Sequence, residues 1–174
     1  MPVQYAVLIG VLLSLTLYFF TSSRLVKLHR RRLLSNGRFE EITLPSEIEN
    51  EAVHVFTVEG DLYFVGARML EKQWPSLPSQ TRHPVIILGL RGRNNIDATL
   101  TEVLENFYDK IKKAEGRFYI TELGENSYTS LRTQAASEVL GGIRIVKKEP
   151  IVGKSTQEAV LEAQDWLNNG THKK

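Results

Sequence analysis

A run of eighteen residues, Val3 to Phe20, carries no charge and holds only Gln4, Ser14 and Thr16 as clearly polar members. At about 1.5 Å per residue it makes roughly 27 Å of helix, which just spans the hydrocarbon core of a bilayer. A secretory signal peptide carries basic residues ahead of a shorter apolar run and a small-residue cleavage site behind it, and none of these is present. Residues 1–22 therefore read as a transmembrane helix. Gly10 and Ser14 lie four apart on one face, a small-xxx-small pair that lets a second helix approach closely, while Tyr5 and Tyr18 stand near the two ends, where amphipathic rings prefer the headgroup zone. The helix thus reads as one that packs against other membrane helices.

The charge that follows sets an orientation. Arg24, Lys27, Arg30, Arg31 and Arg32 crowd one short stretch behind Phe20, and no Lys or Arg precedes the run. Basic residues beside a span stay on the cytoplasmic side, so everything from Arg24 onward is expected in the cytosol, on the inner face of a plasma membrane crossed once. The same cluster suits anionic lipid headgroups as a secondary role. Residues 23–50 read as a basic juxtamembrane segment and linker: Asn36-Gly37 breaks the run, and EITLPSEIENE is a polar, Pro-containing link or a short edge strand. The sequon at Asn169 has no use on a cytosolic C-terminus.

A length of 174 residues with 42% apolar and 24% charged residues suits one globular core with some extra chain. The net charge of +2 is small and concentrated in the collar, which argues against nucleic acid as a partner. With no cysteine, disulfides, thiolate chemistry and Cys-ligated zinc are excluded.

From residue 51 to 170 the pattern is that of an α/β domain. Val53, Val55 and Thr57 mark one side of a strand, with a turn at Glu59-Gly60-Asp61, a second hairpin strand Leu62 to Val65, and a helix Ala67 to Trp74 stopped by Pro75. Val85 to Leu90 is a continuous branched run, as expected of a strand buried on both faces. Leu100, Val103, Leu104, Phe107, Ile111 and Ala114 define one face of a helix from Ala98 to Glu115, ended by Gly116. A strand RFYITEL, a helix from about Asn126 to Ala136, a strand from Ile143 and a helix from about Thr156 to Asn168 repeat the unit. Alternation of this kind predicts a mostly parallel sheet, its antiparallel edge supplied by the opening hairpin. Such a domain is expected to fold without the residues before Ser35.

The order of these pieces, with HPVIILGLRGRNNIDATLTEVLENFYDKIKKAEGRFYI at its centre, resembles the STAS domain, in which a buried strand leads through a loop to Ile-Asp and the start of a helix. PVQYAVLIGVLLSLTLYFFTSSRLVKL is similar to the last membrane helix of SulP-type inorganic anion (sulfate) transporters, which a cytosolic STAS domain follows. The resemblance implies an α/β, STAS-like mixed sheet behind one transmembrane helix, acting as the regulatory and assembly module of an anion transporter. It further implies that the chain does not transport alone, because one helix cannot supply a midplane substrate site. The partners implied are the membrane, the other transmembrane helices of a transporter unit, and anionic lipid or a cytosolic protein. The alternative is a freestanding, membrane-tethered signalling protein of the anti-sigma-factor-antagonist type.

In that antagonist class the residue after the matching aspartate is a phosphorylated serine or threonine. Here it is Ala98, which has no hydroxyl, and Thr99 stands one residue on. Thr99 with Glu102 makes a T-x-x-E capping box, read ahead of a phosphorylation site, and Asp97 reads as an N-cap rather than a catalytic acid. Arg91 and Arg93 flank the helix start, whose free N–H groups suit an anion, and the resemblance implies nucleotide or anion binding at Arg91, Arg93, Asp97, Ala98 and Thr99. Against this, the Asp97 carboxylate competes for the same N–H groups. The four histidines show no metal-ligand spacing, no nucleophile–base pair is evident, and no phosphate loop occurs, so neither an enzyme nor a bound metal or cofactor is expected.

Overall fold

The computed structural model describes residues 3–23, 26–60, 62, 64–92, 96–135 and 141–170; the side chains of residues 19–23, 64–65, 134–135 and 170 are outside the description. In chain order the elements are α1 (Val3–Ser23), β1 (Lys27–Leu33), β2 (Phe39–Ile42), β3 (Val53–Glu59), α2 (Phe64–Gln73), β4 (Val85–Gly89), α3 (Ala98–Lys113), β5 (Arg117–Leu123), α4 (Glu125–Ala135), β6 (Arg144–Lys147) and α5 (Lys154–Gly170). One six-stranded sheet runs in the order β2-β1-β3-β4-β5-β6. β3 to β6 are parallel, and β1 is antiparallel to both β2 and β3.

Two core clusters, one on each face, explain why the sheet is stable. Phe56, Ile86, Leu88, Phe118 and Ile120 meet Leu70 of α2, Leu104 and Ile111 of α3, and Leu131 of α4. Val55, Val85, Ile87 and Tyr119 meet Ala159, Val160 and Ala163 of α5. Successive β4 residues alternate between the clusters, and all four from Val85 to Leu88 are fully buried, as the continuous apolar run requires. Leu100, Val103, Leu104, Phe107 and Ile111 are the buried face of α3, as their spacing predicts. Trp74 stacks on Phe107 with ring centroids 3.9 Å apart and meets Phe56 edge-on, so it belongs to this core.

Three expectations change. The hairpin is not Val53–Val65: Phe64 and Val65 are already in α2, and β3 has β1 on one side and β4 on the other, leaving no edge for a second hairpin strand. The antiparallel edge is instead β1–β2, made from residues read as basic collar and linker. Leu33 pairs with Phe39 across a turn in which Gly37 takes φ +78° and the Asn36 side chain accepts from Arg38 N–H at 3.0 Å. The segment before Ser35 contains β1, with Val26 and Leu28 in the core, so the domain is not expected to fold without it. Third, the left-handed residue that ends α3 is Glu115 (φ +55°), and Gly116 is needed for space, since a Cβ there would collide with the Pro84 carbonyl.

Candidate functional site

The loop between β4 and α3 was the sequence's strongest candidate. Asp97 caps α3 in extended conformation (φ −86°, ψ 169°), and its Oδ1 accepts the Leu100 N–H at 2.8 Å. Thr99 is consequently inside the first turn and is not the cap. The capping box does not form: Glu102 Oε2 instead accepts from Arg68 Nη2 at 2.9 Å, tying α3 to α2. Ala98 is exposed as the first helical residue, and Thr99 beside it is half-buried. Arg93 lies outside the described residues. Arg91 is placed beside Glu122, its Nη1 3.4 Å from both carboxylate oxygens. Of the five loop residues, then, Asp97, Ala98 and Thr99 share the helix start, and Arg91 is engaged toward β5.

That pairing places Arg91 on a groove that no sequence motif announces. It has a volume of about 820 Å³ and lies on the α5 face, outside the carboxyl ends of β3 and β4 and against the β1–β2 hairpin. Glu122, 6% exposed and in left-handed backbone (φ +63°), anchors one wall: besides Arg91, its Oε1 accepts the Gly153 N–H ahead of α5 at 2.6 Å. His29 Nδ1 is 2.8 Å from Glu41 Oε1, and its Nε2 is 3.2 Å from Glu59 Oε2 without hydrogen-bond geometry. Arg31 and Arg38 complete the basic lining. Arg31 and Arg38 fall in the stretch expected to be membrane collar and linker; the signal that could have found them is Gly37, the left-handed residue of a short hairpin loop closed by Leu34 and Arg38, which folds the collar back as a sheet edge.

Among the described residues no group of His, Asp and Glu could hold a metal ion. His54 is fully buried, accepts from Glu49 N–H at 3.3 Å, and is held below the ordinary histidine range by burial and by Arg30.

α1 presents a surface of another kind. Every described side chain from Val3 to Tyr18 is exposed, with the large apolar ones between 50% and 77%. Gly10 and Ser14 are on this bare surface, and a Cβ at Gly10 would meet nothing within 4 Å. Among the described residues no helix is long and apolar enough to cross a membrane; the described side chains of α1 stop at Tyr18, two residues short of the end of the apolar run.

The family model for the STAS domain matches residues 45–146, from before β3 through most of β6. No curated protein matches the chain.

Proposed function

Because the chain belongs to the STAS domain family, whose members are generally regulatory modules, we propose that it is the cytosolic regulatory and assembly module of a SulP-like inorganic anion transporter, held to the plasma membrane by α1. One observation carries this reading: an apolar helix whose described side chains, Val3 to Tyr18, are all exposed is joined to the STAS sheet by a three-residue connection, residues 24–26. A helix hydrophobic all round is buried in a membrane or in other helices. The reading takes the whole uncharged run from Val3 to Phe20 as the span, with the basic residues behind it fixing the domain on the cytosolic side. In this role the chain is non-enzymatic, carries no cofactor, and works with the other transmembrane helices of a transporter unit.

Ala98 weighs against the freestanding antagonist reading. A phosphoswitch at a helix N-terminus works by adding nearly two negative charges, and an exposed methyl group cannot accept them. Orientation is tested by fusing to the C-terminus a reporter active only outside the cytoplasm. It should stay silent in the full chain; an active reporter would overturn the cytosolic placement.

A further inference from the structure

Residues 43–52, between β2 and β3, form a strap of largely exposed chain that is held to the domain mainly through its backbone. Ile48 N–H donates to Ser76 C=O and Ser76 N–H to Ser46 C=O, both at 2.9 Å. Glu51 N–H donates to Arg82 C=O at 3.1 Å, and Asn50 Oδ1 accepts Arg82 N–H at 2.8 Å. The strap thereby fastens the connector that leads from α2 to β4. Ile48 is its one buried side chain, with Leu44 packed in part against the same core. A segment with few buried apolar contacts and exposed backbone hydrogen bonds opens at lower cost than the sheet beneath it.

The strap's remaining tie ends on a titratable group. His54 of β3 has no exposed surface, and its Nε2 accepts the Glu49 N–H at 3.3 Å. The neutral ring then carries its proton on Nδ1, which is sealed from solvent and has no hydrogen-bond partner. Both nitrogens of an imidazolium donate, so charging the ring in place would break the Glu49 bond and leave two buried N–H groups unmatched. Among the described residues two charged groups act on the ring, Arg30 of β1 and Glu49 of the strap, which face each other at 3.8 Å. Burial opposes the ring's charge first and Arg30 second, and Glu49 offsets them in part. Its other neighbours are apolar: Ile86 is its register partner on β4, and Phe56 stacks on it with centroids 6.2 Å apart.

We propose that the 43–52 strap is an acid-operated latch, closed on the neutral His54 ring and released when that ring takes up a proton, which frees the α2–β4 connector. The closed strap shuts the ring off from water, so the open form is the one that binds the proton. Since the closed form holds His54 below the ordinary histidine value of 6.5, closure is at full strength above that pH and weakens as pH falls through it. The latch belongs to the STAS domain itself and does not depend on which membrane unit α1 meets.

The test is hydrogen exchange of the full chain in phosphatidylcholine nanodiscs, resolved by peptide mass spectrometry and corrected for the intrinsic pH dependence of amide exchange. Between about pH 7.5 and pH 5.5 the protection of the strap should fall several-fold, up to about tenfold, while β4 stays protected. His54→Gln keeps a carbonyl that can accept the Glu49 N–H and cannot be charged, so its strap should be equally protected at both pH values. His54→Phe keeps an aromatic ring without an acceptor, so its strap should be open to the same extent at both. Unchanged protection of β4 shows that each variant is folded. The imidazole ¹⁵N spectrum of the unsubstituted chain adds a measurement that no folding defect can blur: at pH 7.5 the His54 ring should be neutral with its proton on Nδ1. Strap protection that does not change with pH, a change that persists in His54→Gln, loosening shared equally by β4, or a ring protonated on Nε2 at pH 7.5 would overturn the latch.

Discussion

A chain trimmed to begin at Ser35 should fail to fold, while one trimmed to begin at Val26 should unfold in a single cooperative urea transition. The difference is β1, which lies between β2 and β3 and is not an appendage of the sheet. Its loss strips five register pairs from β3, Lys27 to Arg31 against Glu59 to Val55, and leaves β2 without a partner. It also removes Val26 and Leu28, 3% and 6% exposed, each worth about 1.5–3 kcal/mol of burial. The Gln73 side chain, which donates to Val26 C=O at 2.8 Å and accepts from Leu28 N–H at 2.9 Å, loses both partners. Against a total stability of about 5–15 kcal/mol for an ordinary domain, these losses together are decisive. Circular dichroism of the two fragments in water distinguishes the outcomes: a Ser35 fragment with native helix content would show that β1 is peripheral, and an unfolded Val26 fragment would show that the domain needs α1.

Replacing Gly10 with Ile should abolish co-purification of the chain with its membrane partner while leaving the cytosolic domain unchanged. In lipid, helices associate through close van der Waals packing, and a small residue is what lets two backbones approach. Gly10 and Ser14 supply that surface, and Ile at position 10 would hold a partner away by the width of its side chain. Within the chain itself a Cβ at position 10 meets nothing within 4 Å, so a loss of partner is expected to be intermolecular. The variant should therefore keep its urea midpoint and its membrane insertion. Equal recovery of the partner with Ile at position 10 would place the contact on another face of α1.

Much of the sheet was legible because burial imposes simple patterns. Four consecutive branched residues in β4 and the spacing of Leu100 to Ile111 in α3 admit one reading each, and the structure buries those side chains. The hairpin was misplaced because an apolar helix dominates the interpretation of whatever follows it. KLHRRRL looks like a topology signal, yet Leu28 packs into the core while His29 and Arg31 line the other face, an alternation of period two hidden under the charge. The cap at Asp97 followed from local chemistry. Glu102 did not, since its partner Arg68 is 34 residues away on another helix and local spacing carries no record of it. The groove was unreadable for the same reason: its lining is drawn from β1, the turn before β2, β2, β3, β4, β5 and the start of α5, which lie far apart in the sequence.

Docking of the STAS module through α1 onto a transporter's membrane helices can be read out by crosslinking inside the bilayer. A photoreactive residue at Val7 or Leu17, beside Gly10 and Ser14 on the helix face, is activated in native membranes and the adduct is identified by mass spectrometry. The expected adduct is a single polytopic membrane protein of the anion-transporter class, joined from both positions and lost in the Gly10→Ile variant. Adducts with lipid alone, or a chain released from the membrane by alkaline carbonate, would contradict it.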